Sequence, residues 1–237
     1  MLLGGFMEKY KNEEYLKNEI MGQSRHQFIF GYDGIQRKQF IENMANNYDI
    51  VLDKDSPMAI CIPEFGLPKI SACSSELSKS KINLISSAFL YFTIASEILL
   101  KAKATNDINI LNERVKNLIG VLNKFGINDG YPPIVDLDDL IRILMQSKEF
   151  YKKYYIDYYG EGKDTTSINE LALPFLQFDM FITLLKRGIK NESYFGIIID
   201  KQSDIALSST QAINGLIGSR INKDISMKIA VEPDNWE

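Results

Sequence analysis

The sequence predicts an α/β protein: one mainly parallel sheet, interrupted by a large helical insertion. Two apolar runs carry that expectation, QFIF at 27–30, ending at Gly31, and YFGIIID at 194–200, ending in a carboxylate. Runs that are apolar at successive positions suit strands covered on both faces, which is the condition of a parallel sheet. Between them, from Ser74 to about Lys190, apolar residues keep helical spacing almost throughout. The expected organisation is an N-terminal helical arm over 1–26 and one domain over 27–237, with the helical insertion at about 74–190.

Composition agrees with a globular α/β chain. Of 237 residues, 45% are hydrophobic and 24% charged, which excludes a disordered, collagen-like or multi-span membrane protein. The balance of 27 Lys+Arg against 31 Asp+Glu is acidic, so nucleic acid finds no general electrostatic attraction in this chain. Only six of the basic residues are arginines. Cys61 and Cys73 make neither a disulfide framework nor a zinc motif, which points to a reducing, cytoplasmic setting. The opening MLLGGF lacks the basic lead of a secretory signal.

Taken in order, residues 8–25 are polar with scattered Tyr10, Leu16 and Ile20, and read as an exposed helix or arm. The single histidine, His26, directly precedes the first strand; strand-end packing or solvent is its expected place, and its solitude excludes multi-histidine metal sites. After the strand, Phe40, Ile41 and Met44 form the face of a short helix ending near Asn46-Asn47. A second strand follows, either DIVL (49–52) or MAICI (58–62), with Pro57 and Pro63 as punctuation. The stretch from Ile82 to Leu100 approaches membrane-spanning length, but Asn83, Ser86, Ser87, Thr93, Ser96 and Glu97 interrupt it, so a buried helix is expected. Ile108, Leu111, Val115, Leu118, Ile119 and Leu122 mark a helix over 107–124. Asp136 with Asp139 opens the next in capping-box fashion, and Gly160 closes it. Ser167 with Glu170 repeats the signature ahead of Pro174, which kinks the last helix of the block or marks its first turn. A helix over 210–220 and a strand over 227–231 complete the chain.

Two segments carry candidate chemistry. The first is the turn after QFIF, Gly31-Tyr32-Asp33-Gly34-Ile35-Gln36-Arg37-Lys38-Gln39. A phosphate-binding loop needs glycines that let backbone N–H groups face the anion, a cation, a hydroxyl for magnesium and a helix start below. The glycines and the helix are in place; Arg37 stands at the cation position and Lys38, then Gln39, at the hydroxyl position. An ordinary strand-to-helix turn with Arg37 and Lys38 in solvent fits the same letters. The second is Asp200, a carboxylate at the carboxyl end of a strand, where ligands of open α/β sheets bind and where it would orient a metal or a water. Lys201 follows it, and a lysine does not act as a general base there at its ordinary pKa; capping of the next turn fits Asp200 equally well.

The order of these pieces resembles the P-loop core of the AAA+ and STAND ATPases, closest to the bacterial and archaeal origin-recognition-like ATPases. FIFGYDGIQRKQF is similar to a Walker A segment, YFGIIID to a Walker B strand, SSTQAINGLIGSR to the following helix, and ISMKIAVEP to a sensor strand. The resemblance covers about 27–65 and 193–233 and implies a P-loop NTPase-like αβα sandwich. It also implies an ATP-binding module, with Gly31, Gly34, Ile35, Gln36, Arg37, Lys38 and Gln39 at the phosphates. Asp200 becomes the metal (Mg2+) and catalytic carboxylate. Arg220 becomes a phosphate or inter-subunit contact, or else complements its own helix dipole. Because Arg37, Lys38 and Lys201 replace the family's Lys, Ser/Thr and Glu, and the family's last strand and lid are missing, hydrolysis is expected to be weak or absent. The module would act as a switch or assembly subunit, as a homo-oligomer or with a protein partner. The alternative is a non-catalytic scaffold that keeps the fold, binds no nucleotide and holds a partner. Its contact surface would be the helical insertion and, within it, the helical face of Tyr151, Tyr154, Tyr155, Tyr158 and Tyr159, which reads as a packing or interface surface or, with Lys152 and Lys153, as a base-stacking one. Asp136, Asp138 and Asp139 read as dipole complementarity at a helix start.

Overall fold

Four apolar runs pair side by side into one all-parallel sheet. In the computed structural model, which describes residues 13–30, 34–62, 66–74, 76–125, 133–164, 178–200, 205–218 and 224–231, the strands are β1 (Gln27–Phe30), β2 (Met58–Ile62), β3 (Phe195–Asp200) and β4 (Ile225–Val231). Their spatial order is β1-β4-β3-β2, with Phe28 opposite Ile229, Ile198 opposite Lys228 and Cys61 opposite Ile198. The chain thus crosses from one edge of the sheet to the other after β1, then steps back inward through β3 and β4. Of the two alternatives for the second strand, MAICI is the one that pairs. The rival run is used differently: Ile50 is fully buried, and its carbonyl accepts from Thr105 and Asn106.

Side-chain alternation sorts the strands onto two faces, both covered except at β1, an outer strand whose Phe28 and Phe30 are 42% and 56% exposed, which corrects the expectation that QFIF is covered on both faces. Ala59, Cys61, Ile198, Ala230 and Ile29 meet α1 (Glu13–Met21) and α2 (Gly34–Asn46). Met58, Ile60, Phe195, Ile197, Met227 and Ile229 meet a larger layer on the other face. That layer is α3 (Lys79–Thr105), α4 (Ile108–Phe125), α5 (Leu137–Tyr155), α6 (Phe178–Ile189) and α7 (Leu207–Gly218). Helices on both faces of a parallel sheet make a layered α/β architecture compatible with an αβα sandwich.

The long apolar helix is a core element. In α3, 72% of the most apolar window is buried inside the protein. Two of its interrupting hydroxyls are satisfied within the helix, Thr93 Oγ1 donating to the Phe89 carbonyl at 2.8 Å and Ser96 Oγ to that of Thr93 at 3.0 Å, whereas the buried Ser86 hydroxyl makes no hydrogen bond among the described residues. Asp136 caps α5, accepting the Asp139 N–H at 2.9 Å, an arrangement worth about 1 kcal/mol. A π-helical turn, Ile156–Gly160, continues α5. Ser167, Glu170 and Pro174 lie outside the described residues.

The exposed arm expected over 8–25 needs correction. Its helix, α1, docks its last turn on the sheet: Ile20 and Met21 are buried, and the Tyr194 hydroxyl donates to the Met21 carbonyl. Several lysines are drawn inward as well, three of them around the sheet. Lys101 Nζ donates to the carbonyls of Ala45, Tyr48 and Ala59; Lys186 reaches Asp224; Lys228, within β4, is fully buried. His26 takes the strand-end place expected of it, accepting the Met227 N–H at Nδ1.

Candidate functional site

Two residues singled out in the sequence, 163 positions apart, meet at the carboxyl edge of the sheet. Arg37 lies four residues before the buried Ile41, hence on the face of α2 that packs inward. Asp200 ends β3 and shares a face with Ile198, which packs under α1 and α2. Arg37 Nε donates to Asp200 Oδ1 at 2.8 Å, and the two side chains are only 7% and 10% exposed. A charge-assisted bond this far from water is strong, and each partner makes the burial of the other tolerable.

The other loop residues divide around this pair. Gly34 opens α2, and Gln36 lies in its first turn. Ile35, 74% exposed, and Gln39 face outward. Lys38 is exposed and sits 4.0 Å from Glu42, a surface pair one helical turn apart. Gly31 and Arg220, with Lys201, lie outside the described residues. The helix start still brings amide N–H groups and the positive end of a helix dipole to the sheet edge that holds Asp200.

Sequence reasoning missed a third side chain here. Cys61 is opposite Ile198 on the face that Asp200 shares. Burial foremost, then the negative charges of Glu42 and Asp200, pushes its thiol up to about 11. The strand period was the signal: counting by twos from Asp200 and from Cys61 puts both on one face. With the thiolate suppressed, iodoacetamide at pH 8 is expected to modify the exposed Cys73 at least tenfold faster than Cys61. Peptide mass spectrometry over a time course measures this, and equal rates would contradict the placement of Cys61.

Two other sequence candidates resolve into structure. Tyr151, Tyr154, Tyr155 and Tyr158 are buried, with Phe92 stacked on Tyr151 at 5.5 Å and Tyr154 on Tyr158 at 6.0 Å. The stripe is therefore a packing surface, and the base-stacking reading is corrected. Lys81 adds to it, its ammonium over the Tyr158 ring at 4.8 Å and paired with Asp164, which also accepts from Tyr154. The acidic cluster is likewise committed, Asp136 to its cap, Asp138 to Lys103 and Asp139 to Arg142. Among the described residues no group of three or more His, Cys, Asp or Glu side chains is placed to hold a metal.

Comparison of the chain with protein-family models, with curated sequences and with solved structures finds no match in any of the three.

Proposed function

We propose that this chain is a P-loop-like nucleotide-binding module, akin to the AAA+ origin-recognition-like ATPases, that holds phosphate without hydrolysing it. The observation that carries the reading is the Arg37–Asp200 bond. It joins the Walker-A-like cation to the Walker-B-like carboxylate across the sheet edge where α2 begins. The all-parallel order, in which the sensor-like β4 lies between the strands bearing those two segments, agrees with the same reading.

The ion pair argues against magnesium. A carboxylate that accepts a buried guanidinium at 2.8 Å already has its charge compensated, and a divalent cation would have to displace the arginine to use it. No step is therefore assigned to a metal, and Asp200 is given a positioning role in place of a catalytic one. Phosphate would be held by the first turn of α2, with exposed Lys38 beside it. Calorimetric titration with ATP, once with EDTA and once with magnesium, is expected to give the same dissociation constant. Lys38→Glu is expected to weaken binding at least tenfold with an unchanged melting temperature, and phosphate release to stay at background. No heat of binding at millimolar ATP would leave the second reading.

That second reading, a scaffold that binds no nucleotide, rests on the same pair: Arg37 and Asp200 satisfy each other without any ligand.

A further inference from the structure

A separate polar network lies at the opposite, amino-terminal end of the sheet, where the segment between α1 and β1 is pinned to β4 and the end of α1 to Tyr194, just before β3. Lys228 Nζ donates to the carbonyls of Gln23 at 2.6 Å and Arg25 at 2.9 Å, and to Gln27 Oε1 at 2.5 Å. Ser226 Oγ donates to the Arg25 carbonyl at 2.7 Å, and the Tyr194 hydroxyl to that of Met21. The last contact runs the other way: the Met227 N–H donates to His26 Nδ1 at 2.9 Å. Every other acceptor in this set is a carbonyl oxygen, which keeps its lone pairs across the physiological pH range. The imidazole nitrogen alone loses its lone pair when it takes a proton.

We propose that His26 is a proton-sensitive latch, holding α1 and the lead-in to β1 against the sheet when neutral and releasing them when protonated. An imidazolium at this place has two Nδ1 problems at once. Its N–H points at the Met227 N–H, so a backbone donor at the start of the β1–β4 ladder loses its acceptor. It also sets a second cation beside Lys228, the charged group that faces it from β4; Arg25 precedes it in the chain, and the ring of Tyr194, the residue before β3, lies 5.8 Å from the Lys228 ammonium. Burial first, then Lys228, holds the His26 pKa below its ordinary 6.5. A depressed histidine contributes stability that is complete above 6.5 and is lost as pH falls through the folded-state value. The same lysine that pins the segment thus sharpens its release.

The chain has a single histidine, so its imidazole signals are unambiguous in a nitrogen NMR titration of the intact protein. The expected result is a midpoint below 6.5, with the Met227 amide and the amides of Glu13–Met21 shifting at that same midpoint. Protection of the Met227 amide from exchange is expected to fall about tenfold, the equivalent of one hydrogen bond. In His26→Asn, whose Oδ1 replaces Nδ1 as a permanent acceptor, the same amides are expected to keep their neutral-pH positions down to pH 5. A wild-type midpoint at or above 6.5, or amides of α1 that do not follow it, would overturn the latch. So would an undiminished acid transition in His26→Asn; if that variant does not fold, the wild-type titration decides alone.

Discussion

Arg37→Ala is expected to destabilise the protein by about 3–5 kcal/mol, because it leaves the Asp200 carboxylate buried with its cation removed. Asp200→Ala strands the guanidinium instead and is expected to cost a similar amount. The double variant Arg37→Met, Asp200→Leu removes both charges and keeps apolar volume, so most of the loss is expected to return. Urea denaturation of the four proteins measures the two losses and the recovery. Two single variants within about 1 kcal/mol of wild type would mean that the pair is solvated. The outcome also governs how binding is tested: charge reversal at Arg37 would confound ligand affinity with folding, whereas Lys38, at the surface, separates them.

The second large effect lies away from the site. Gly188→Ala is expected to destabilise by about 1–3 kcal/mol, through helix–helix overpacking. Gly188 is inside α6, and a Cβ there would sit 2.5 Å from the Arg114 carbonyl oxygen of α4. Two backbones approach at this point, and neither has a flexible side chain that can swing away. Gly120, where an added Cβ meets nothing within 4 Å, is the internal control: Gly120→Ala is expected to be neutral or slightly stabilising, since it raises helix propensity. Thermal denaturation of both variants distinguishes packing from propensity. If Gly188→Ala melts with wild type, α4 and α6 do not approach as described.

How much of this was legible in the residues depended on the range of the cause. The strand at 27–30, the Asp136 cap and the helix over 108–125 follow from local pattern: apolar runs, a side chain reaching three residues ahead, and one apolar face. Asp200 at a strand's carboxyl end was equally plain. Its bond to Arg37 was not, although Arg37 continues the Phe40, Ile41 and Met44 face back by one turn, which already directs it inward. The choice between 49–52 and 58–62 could not be made locally, since both are short and apolar and only pairing with β3 selects one. Lys228 shows the limit most clearly. Its alternation with Met227 and Ile229 puts it on the opposite face, and a charged residue there reads as facing solvent. That face is covered because the modest apolar content of α1, Leu16, Ile20 and Met21, is enough to dock it. Helices with so few apolar residues carry little signal of their own, and the sheet supplies the reason they are bound.

Lys101 has a consequence for how the folded protein behaves in a crowded solution. β2 is an outer strand of the sheet, and outer strands present backbone groups that can recruit a foreign strand. Here the Ala59 N–H is taken by the Tyr48 carbonyl, and the Ala59 carbonyl by the Lys101 ammonium, which also secures the carbonyls of Ala45 and Tyr48. One side chain from α3 therefore occupies a carbonyl of this margin that a foreign strand would otherwise meet. Acetylation of Lys101 would remove the charge and all but one of its donors together, leaving fewer of these carbonyls held at the β2 margin.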